Sequence, residues 1–285
     1  MSKRMPRRFS KMHGAGNDFV LLDLRGGQPA PDAAQIRQLA ERRTGIGFDQ
    51  LIAIEDSHRE GCVARYKIWN SDGSIASQCG NGARCVAAWL LRDGTAASPR
   101  FGIDSPSGVV EARWLDSGEY AIDMGRPDFA PAHIPLLGHA EAGEYAMATS
   151  SGELRFGAVS MGNPHAVLRV DAVATAAVAE IGAALQARHE FPQGVNVGFA
   201  EVVSRAHIRL RVFERGVGET RACGSGACAA AAVLMRQGLI DRQVAVDLPG
   251  GRLQIDWPSE DASLRMAGPA AFVFEGEIPD GAFSA

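Results

Sequence analysis

Two cysteines are placed to move protons. Cys79 opens the run Cys79-Gly80-Asn81-Gly82-Ala83-Arg84-Cys85, and Cys223 opens Cys223-Gly224-Ser225-Gly226-Ala227-Cys228. Each leads into an apolar, alanine-containing stretch, residues 86–91 and 227–235, whose composition predicts a helix. Small residues directly after each thiol let a ligand approach the backbone. The unpaired N–H groups of a helix start point at whatever anion sits there. The same potential favours thiolate. A helix-end interaction of about 0.3–2 kcal/mol brings a thiol from about 8.5 to about 7 at best. Two such groups suit removal of a proton from one face of a carbon and return of a proton to the other. Thiol–disulfide exchange, by contrast, normally uses Cys-x-x-Cys on one helix.

Two further groups are candidates to steer a thiol proton. His165 follows Asn163-Pro164, and Glu214 stands nine residues before Cys223. Taken singly, His165 reads equally well as a satisfied loop histidine, Glu214 as a salt-bridge partner of Arg215, and Cys223 as a buried structural thiol. An internal repeat argues for the functional alternative. Cys79 and Cys223 are 144 positions apart, as are Asn70 and Glu214, while Gly16-Asn17 precedes Gly162-Asn163, and Gln50 precedes Asn196, by 146. Four polar landmarks in one order at nearly one offset mark two diverged copies of one unit.

Composition narrows the function classes. The 285 residues suggest about two domains, and 46% hydrophobic with 22% charged residues is ordinary for a soluble protein. A net charge of −4 and a pI near 6.0 give no reason to expect a nucleic-acid partner. The longest apolar stretch, residues 227–235, is too short to span a bilayer, so no membrane partner is expected. Basic residues cluster at the start without a following apolar segment, which reads as a loose tail over about residues 1–7 and not as a secretory signal. Five cysteines, an odd count, favour reduced thiols in a cytosol. Their spacings are not those of zinc ribbons and the histidines are scattered, so no metal is expected.

Short strands and four helices must position these groups. Strands are predicted over residues 9–12, 19–24, 51–54, 63–69, 101–104, 109–115 and 120–124, then over 153–160, 165–170, 195–203, 207–213, 244–248, 252–257 and 271–275. Helices over 32–43 and 175–188 are amphipathic; those over 81–92 and 226–237 leave no wide polar face and are predicted to be buried on all sides. Many short strands joined by short loops favour antiparallel pairing. Residues 125–131 and Pro135 interrupt both periodicities and mark the domain boundary. The expected fold class is α+β: two pseudo-symmetric domains, each a curved, mostly antiparallel sheet wrapped around a central helix with an amphipathic helix outside. The starts of the two central helices are expected to meet at an active-site cleft between the halves.

The motifs resemble those of the diaminopimelate epimerases. His13-Gly14-Ala15-Gly16-Asn17-Asp18-Phe19, Asn70-Ser71-Asp72-Gly73-Ser74, Gln78 with the Cys79 run, Gly162-Asn163-Pro164-His165 and Glu214-Arg215-Gly216-Val217-Gly218-Glu219-Thr220 with Ala222-Cys223-Gly224 carry the resemblance, which covers residues 9–274. It implies a pyridoxal-phosphate-independent amino-acid epimerase, with no cofactor, that interconverts LL- and meso-diaminopimelate on the route to lysine and peptidoglycan. It implies a cytoplasmic homodimer acting on a small molecule. Cys79 and Cys223 would be the acid/bases, assisted by His165 and Glu214. Gly80, Asn81, Gly224 and Ser225 would hold the α-carboxylate through helix-start N–H groups. Asn17, Gln50, Asn70, Asn163, Asn196, Glu214 and Arg215 would bind the rest, the Arg215 guanidinium pairing with the distal carboxylate. The halves would comprise residues 1–124, taking back a last strand from about 270–285, and residues 125–269.

Departures from the family pattern are Ser225 in place of the usual threonine, Ser77 in place of an acidic residue, and a longer initial tail. Cys62, Cys85 and Cys228 are expected in the core. The enzymatic rival is a relative on the same scaffold, a racemase of proline, hydroxyproline or another amino acid or a related isomerase; the presence of both cysteines argues against relatives that replace one, and Arg215 with the full set of asparagines favours a substrate with a second polar end. A phosphate- or nucleotide-binding module would need a Gly-x-x-x-x-Gly-Lys-Ser/Thr or a strand-borne Gly-x-Gly-x-x-Gly motif, and neither occurs.

Overall fold

Among the described residues, four helices each lie in a crossover between two neighbouring strands that run parallel, and these crossovers organise the chain. The computed structural model describes residues 7–76, 79–149 and 152–279. Ser77, Gln78 and the predicted initial tail as far as residue 6 lie outside the described residues. The chain divides into two units: the described residues up to Ile122 together with those from Gly268 onward, and Asp123–Ala267.

In the first unit the order is β1 (Arg7–Gly14), β2 (Asn17–Asp23), α1 (Ala33–Ala40), β3 (Gln50–Glu55), β4 (Cys62–Asn70), α2 (Gly80–Asp93), β5 (Arg100–Ser105), β6 (Gly108–Trp114) and β7 (Tyr120–Asp123), the last of which ends at the unit boundary. The second unit holds β8 (Tyr145–Thr149), β9 (Gly152–Ser160), β10 (Pro164–Arg169), α3 (Val178–Gln186), β11 (Asn196–Ser204), β12 (His207–Glu214), β13 (Gly218–Thr220), α4 (Gly224–Arg236), β14 (Gln243–Leu248), β15 (Gly251–Asp256) and β16 (Arg265–Gly268). A final strand, β17 (Ala271–Ile278), pairs with β1.

The two units repeat the same pairings. β1 and β2 are antiparallel, β2 and β3 parallel with Phe19 opposite Gln50, and β3 and β4 antiparallel with Gln50 opposite Asn70. β9 and β10 are antiparallel, β10 and β11 parallel with His165 opposite Asn196, and β11 and β12 antiparallel. β4 pairs in parallel with β5, as β12 does with β14. Parallel neighbours need a long crossover, and α1, α2, α3 and α4 supply the four. Pairing is therefore mostly antiparallel, with a parallel pair wherever a helix intervenes.

The central helices are buried as their composition predicts. In α2 every residue from Gly80 to Leu90 is buried, Arg84 included; in α4 so are Gly224 and the run from Gly226 to Met235. Against β9, α4 packs so closely that a Cβ on Gly157 would stand 2.2 Å from Val233 Cγ1. α1 buries one stripe, Ile36, Leu39 and Ala40, in a cluster with Val20, Leu22, Phe48 and Leu51. α3 does likewise, with Val178 and Leu185 against Leu168, Val197 and Phe199.

Both amphipathic helices are shorter than predicted. Asp32 caps α1 through a capping box with Gln35, worth about 1 kcal/mol, which fixes its start. The helix stops at Ala40 because the chain folds back over its end, Gly45 N–H donating to the Glu41 carbonyl and Ile46 N–H to that of Leu39. α3 has no side-chain cap, and the residues before it, Val173–Thr175, form only a 3₁₀ turn. β8, β13 and β16 lie outside the strands that the sequence pattern predicts. Cys85 and Cys228 are buried as expected, whereas Cys62 is half-buried at the start of β4.

Candidate active site

In each unit, register places the polar landmarks at one end of the paired strands. In the first unit Asn17 begins β2, Gln50 begins β3, Asn70 ends β4 and Cys79 precedes α2. The second unit repeats this, with Asn163 and His165 at the start of β10, Asn196 at the start of β11, Glu214 at the end of β12 and Cys223 before α4. Both thiols occupy the N-cap position, with extended backbone at φ −151° for Cys79 and −114° for Cys223. Their carbonyls accept the first helical bonds, from Ala83 and Ala227, each at 2.9 Å. The third residue after each thiol is glycine for want of space: a Cβ on Gly82 would lie 3.0 Å from Ile52 Cδ1, and one on Gly226 would lie 3.2 Å from Cys223 Sγ.

Around Cys79, the sulfur accepts from Gly82 N–H at 3.4 Å and lies 3.7 Å from Asn17 Oδ1. Asn81, buried on the first turn of α2, donates to the same Asn17 oxygen at 3.4 Å. Asn17 in turn donates to Asp49 Oδ2 at 2.9 Å. The Gln50 amide donates to Asn70 Oδ1 at 2.9 Å, and Asn70 donates to Ser74 Oγ at 3.0 Å. Asn17 and Asn81 thus gather at Cys79, while Gln50 and Asn70 form a neighbouring pair across β3 and β4.

Around Cys223, the sulfur lies 3.6 Å from Ser225 Oγ, and Ser225 receives a hydrogen bond from Asn163 Nδ2 at 3.4 Å. The Glu214 carboxylate acts electrostatically on the thiol and accepts from the hydroxyl of Thr220. Arg215 is held through its backbone N–H by Asn196 Oδ1 at 2.9 Å, and its guanidinium donates to the Gln193 carbonyl at 2.7 Å. Asn196 also donates to the Pro164 carbonyl. His165 is buried in β10, and its Nε2 lies 2.9 Å from Asn163 Oδ1. It reaches Cys223 only through Asn163 and Ser225.

The surroundings of Cys223 oppose its helix start. Burial pushes the Cys223 thiol well above its ordinary pKa, and the Glu214 carboxylate adds to the rise; the Ser225 hydroxyl and the Gly226 N–H oppose it without prevailing. A helix start stabilises thiolate by about 2 kcal/mol at most, less than the cost of burying an anion beside a carboxylate. Cys223 therefore holds its proton. Burial, and secondarily the Arg215 charge, lowers the His165 pKa to about 3, so its imidazole is neutral.

Spacing alone marks neither Thr220 nor Asp49. Thr220 meets Glu214 because β13 folds back on β12, and Asp49 meets Asn17 because β2 and β3 run parallel. An Asp immediately before Gln50 is the only signal the sequence offers for the second contact.

A family model described as diaminopimelate epimerase matches residues 9–130 and 157–273. The diaminopimelate epimerase of Xanthomonas euvesicatoria pv. vesicatoria is 61% identical over 271 residues, covering 95% of each chain. That of Xylella fastidiosa is 55% identical over 276 residues, covering 96% of this chain and 97% of the relative. Among solved structures, a hydroxyproline epimerase from Agrobacterium vitis aligns with a TM-score of 0.69 at 16% identity, covering 98% of this chain and 94% of that one. A phenazine biosynthesis protein of the PhzF family from Bacillus anthracis aligns with a TM-score of 0.69 at 17% identity, covering 96% and 99%. Those two share the fold.

Proposed function

The chain belongs to the diaminopimelate epimerase family and is an isomerase; on that premise we propose that it interconverts LL- and meso-diaminopimelate by proton transfer between two thiols, Cys79 and Cys223. The observation that carries the reading is the repetition within the chain. Each unit sets one cysteine at the N-cap of a buried helix, beside amides at matching positions of matching strands.

In one direction Cys79, as thiolate, takes the α-proton, and the Cys223 S–H gives a proton to the opposite face of the carbon. In the reverse direction the roles exchange. Glu214 keeps the Cys223 proton in place until the carbanion draws it. First-turn N–H groups at Gly80, Asn81, Gly224 and Ser225 bind the α-carboxylate and stabilise the charge that develops as the α-proton leaves; a donor of this kind is worth about 3–4 kcal/mol in comparable sites. Asn17, Gln50, Asn70, Asn163, Asn196 and Arg215 hold the rest of the substrate, and His165 keeps the Asn163 amide in place. The reading extends to a homodimer in the cytoplasm serving lysine and peptidoglycan precursor synthesis.

The test is conversion of LL-diaminopimelate to the meso form by purified protein, with L-proline and trans-4-hydroxy-L-proline as comparators. Diaminopimelate is expected to turn over with the highest kcat/KM. Faster inversion of proline or hydroxyproline would overturn the substrate assignment and leave the two-thiol chemistry standing.

A further inference from the structure

A directed chain of hydrogen bonds runs past Cys79, and charged groups fix its sense at both ends. The Arg84 guanidinium, buried on α2, can only donate; its Nη2 donates to Asn81 Oδ1 at 2.9 Å. Asn81 must then offer its NH₂ onward, and does so to Asn17 Oδ1 at 3.4 Å. At the other end the Asp49 carboxylate can only accept. Its Oδ2 takes the Asn17 NH₂ at 2.9 Å and the Asp18 backbone N–H at 3.1 Å, while Arg42 Nη2 holds its Oδ1 at 2.8 Å. Arg42 is itself anchored on Asp18, which a buried Lys11 holds at 2.6 Å.

Either end alone would dictate which way the Asn17 amide points, and the two ends agree. The amide oxygen is pinned 3.7 Å from Cys79 Sγ. A carbonyl oxygen there accepts from a thiol and repels a thiolate, whereas the Gly82 N–H on the same sulfur favours thiolate. Cys79 is thereby poised between a donor and an acceptor. Tyr66 on β4 and Cys85 on α2 also interact electrostatically with Cys79; burial raises both, Cys85 to about 12, so neither changes charge across the neutral range.

We propose that Asp49 is a positioning residue which, together with Arg84 from the other side, locks the Asn17 amide with its oxygen toward Cys79 and so sets that cysteine's balance between thiol and thiolate. The functional consequence rests on the reading of Cys79 as an acid/base; the locking itself does not.

The test is the pH midpoint of Cys79 alkylation by iodoacetamide in the full-length chain, followed by mass spectrometry of the Cys79 peptide from about pH 5 to about pH 10. Asn17→Ala removes the carbonyl and is expected to lower the midpoint by about one pH unit. Asp49→Ala loosens the amide and is expected to lower it by about half as much. Loss of the Asp49 charge would act in the same direction without any amide, so Asp49→Ala is also made on the Asn17→Ala background, where locking predicts no further shift. An equal shift with and without Asn17, or no fall in Asp49→Ala, would overturn the proposal. So would an unchanged or raised midpoint in Asn17→Ala, which leaves Asp49 intact and reads the same point if Asp49→Ala does not fold. The acid limb of the kcat/KM profile, measured alongside, is expected to move with the midpoint. A midpoint that moves while the limb stays would leave the locking intact and remove Cys79 from the acid/base role.

Discussion

At Cys223 the helix start and its surroundings pull in opposite directions, and burial beside Glu214 wins. Glu214→Gln keeps a hydrogen-bonding side chain while deleting the charge, so the Cys223 pKa is expected to fall and its alkylation at pH 8 to quicken; an unchanged rate would mean that the carboxylate does not govern this thiol. His165 gives a second prediction. Its folded pKa, about 3, lies below the unfolded value of about 6.5. The unfolded chain therefore binds more protons between those values, and stability present above about 6.5 is lost as pH falls. His165 should account for about 2 kcal/mol of the loss between pH 7 and pH 5, and the unfolding free energies from urea titrations at those two pH values should differ by that much less in His165→Gln. Asp18, held well below the usual carboxylate range by Arg42 and Lys11 despite its burial, loses its contribution only at lower pH. At this scale the sequence discloses the thiols and their nearby polar groups, because type and spacing mark them. Thr220 and Asp49 become visible only through strand pairing, and the proton state of Cys223 only through its burial.

Among the elements, α4, which carries Cys223 at its N-cap, closely approaches β9 through Val233. Gly157→Ala would drive a Cβ into Val233, a β-branched side chain with little room to turn on a helix. The cost of such overpacking is about 1–3 kcal/mol, read as a lower urea midpoint at unchanged m-value; a midpoint equal to wild type would show that α4 can shift freely. The buried central helices are legible because no polar face interrupts them, and most strands because β-branched and aromatic runs end in turn residues. The ends of α1 are less so: Glu41-Arg42-Arg43 are good helix formers, yet the returning turn through Gly45 takes their backbone elsewhere. β13, three residues with a charged centre, exists only because β12 offers it an edge. The short loops suggest antiparallel neighbours; the four parallel pairs follow from the helices that span them.

Across the whole molecule, one pattern of strands and crossovers occurs twice, and the polar landmarks recur at the same places in it. That duplication is legible as the 144- and 146-residue offsets, which survive where the intervening residues have diverged. The return of β17 to β1 is far less visible, since an eight-residue strand carries no mark of its partner. A duplicated unit with one thiol per copy has its simplest use in a reaction whose two sides are mirror-related, and proton exchange with solvent reports on that directly. LL-diaminopimelate is converted in deuterium oxide by the wild-type chain and by Cys79→Ala and Cys223→Ala. The meso product of the wild type is expected to carry one deuterium at the inverted α-carbon, and each variant to lose about 10²–10⁴-fold in kcat/KM. Meso product formed without label, or either alanine variant turning over at the wild-type rate, would contradict the two-thiol account.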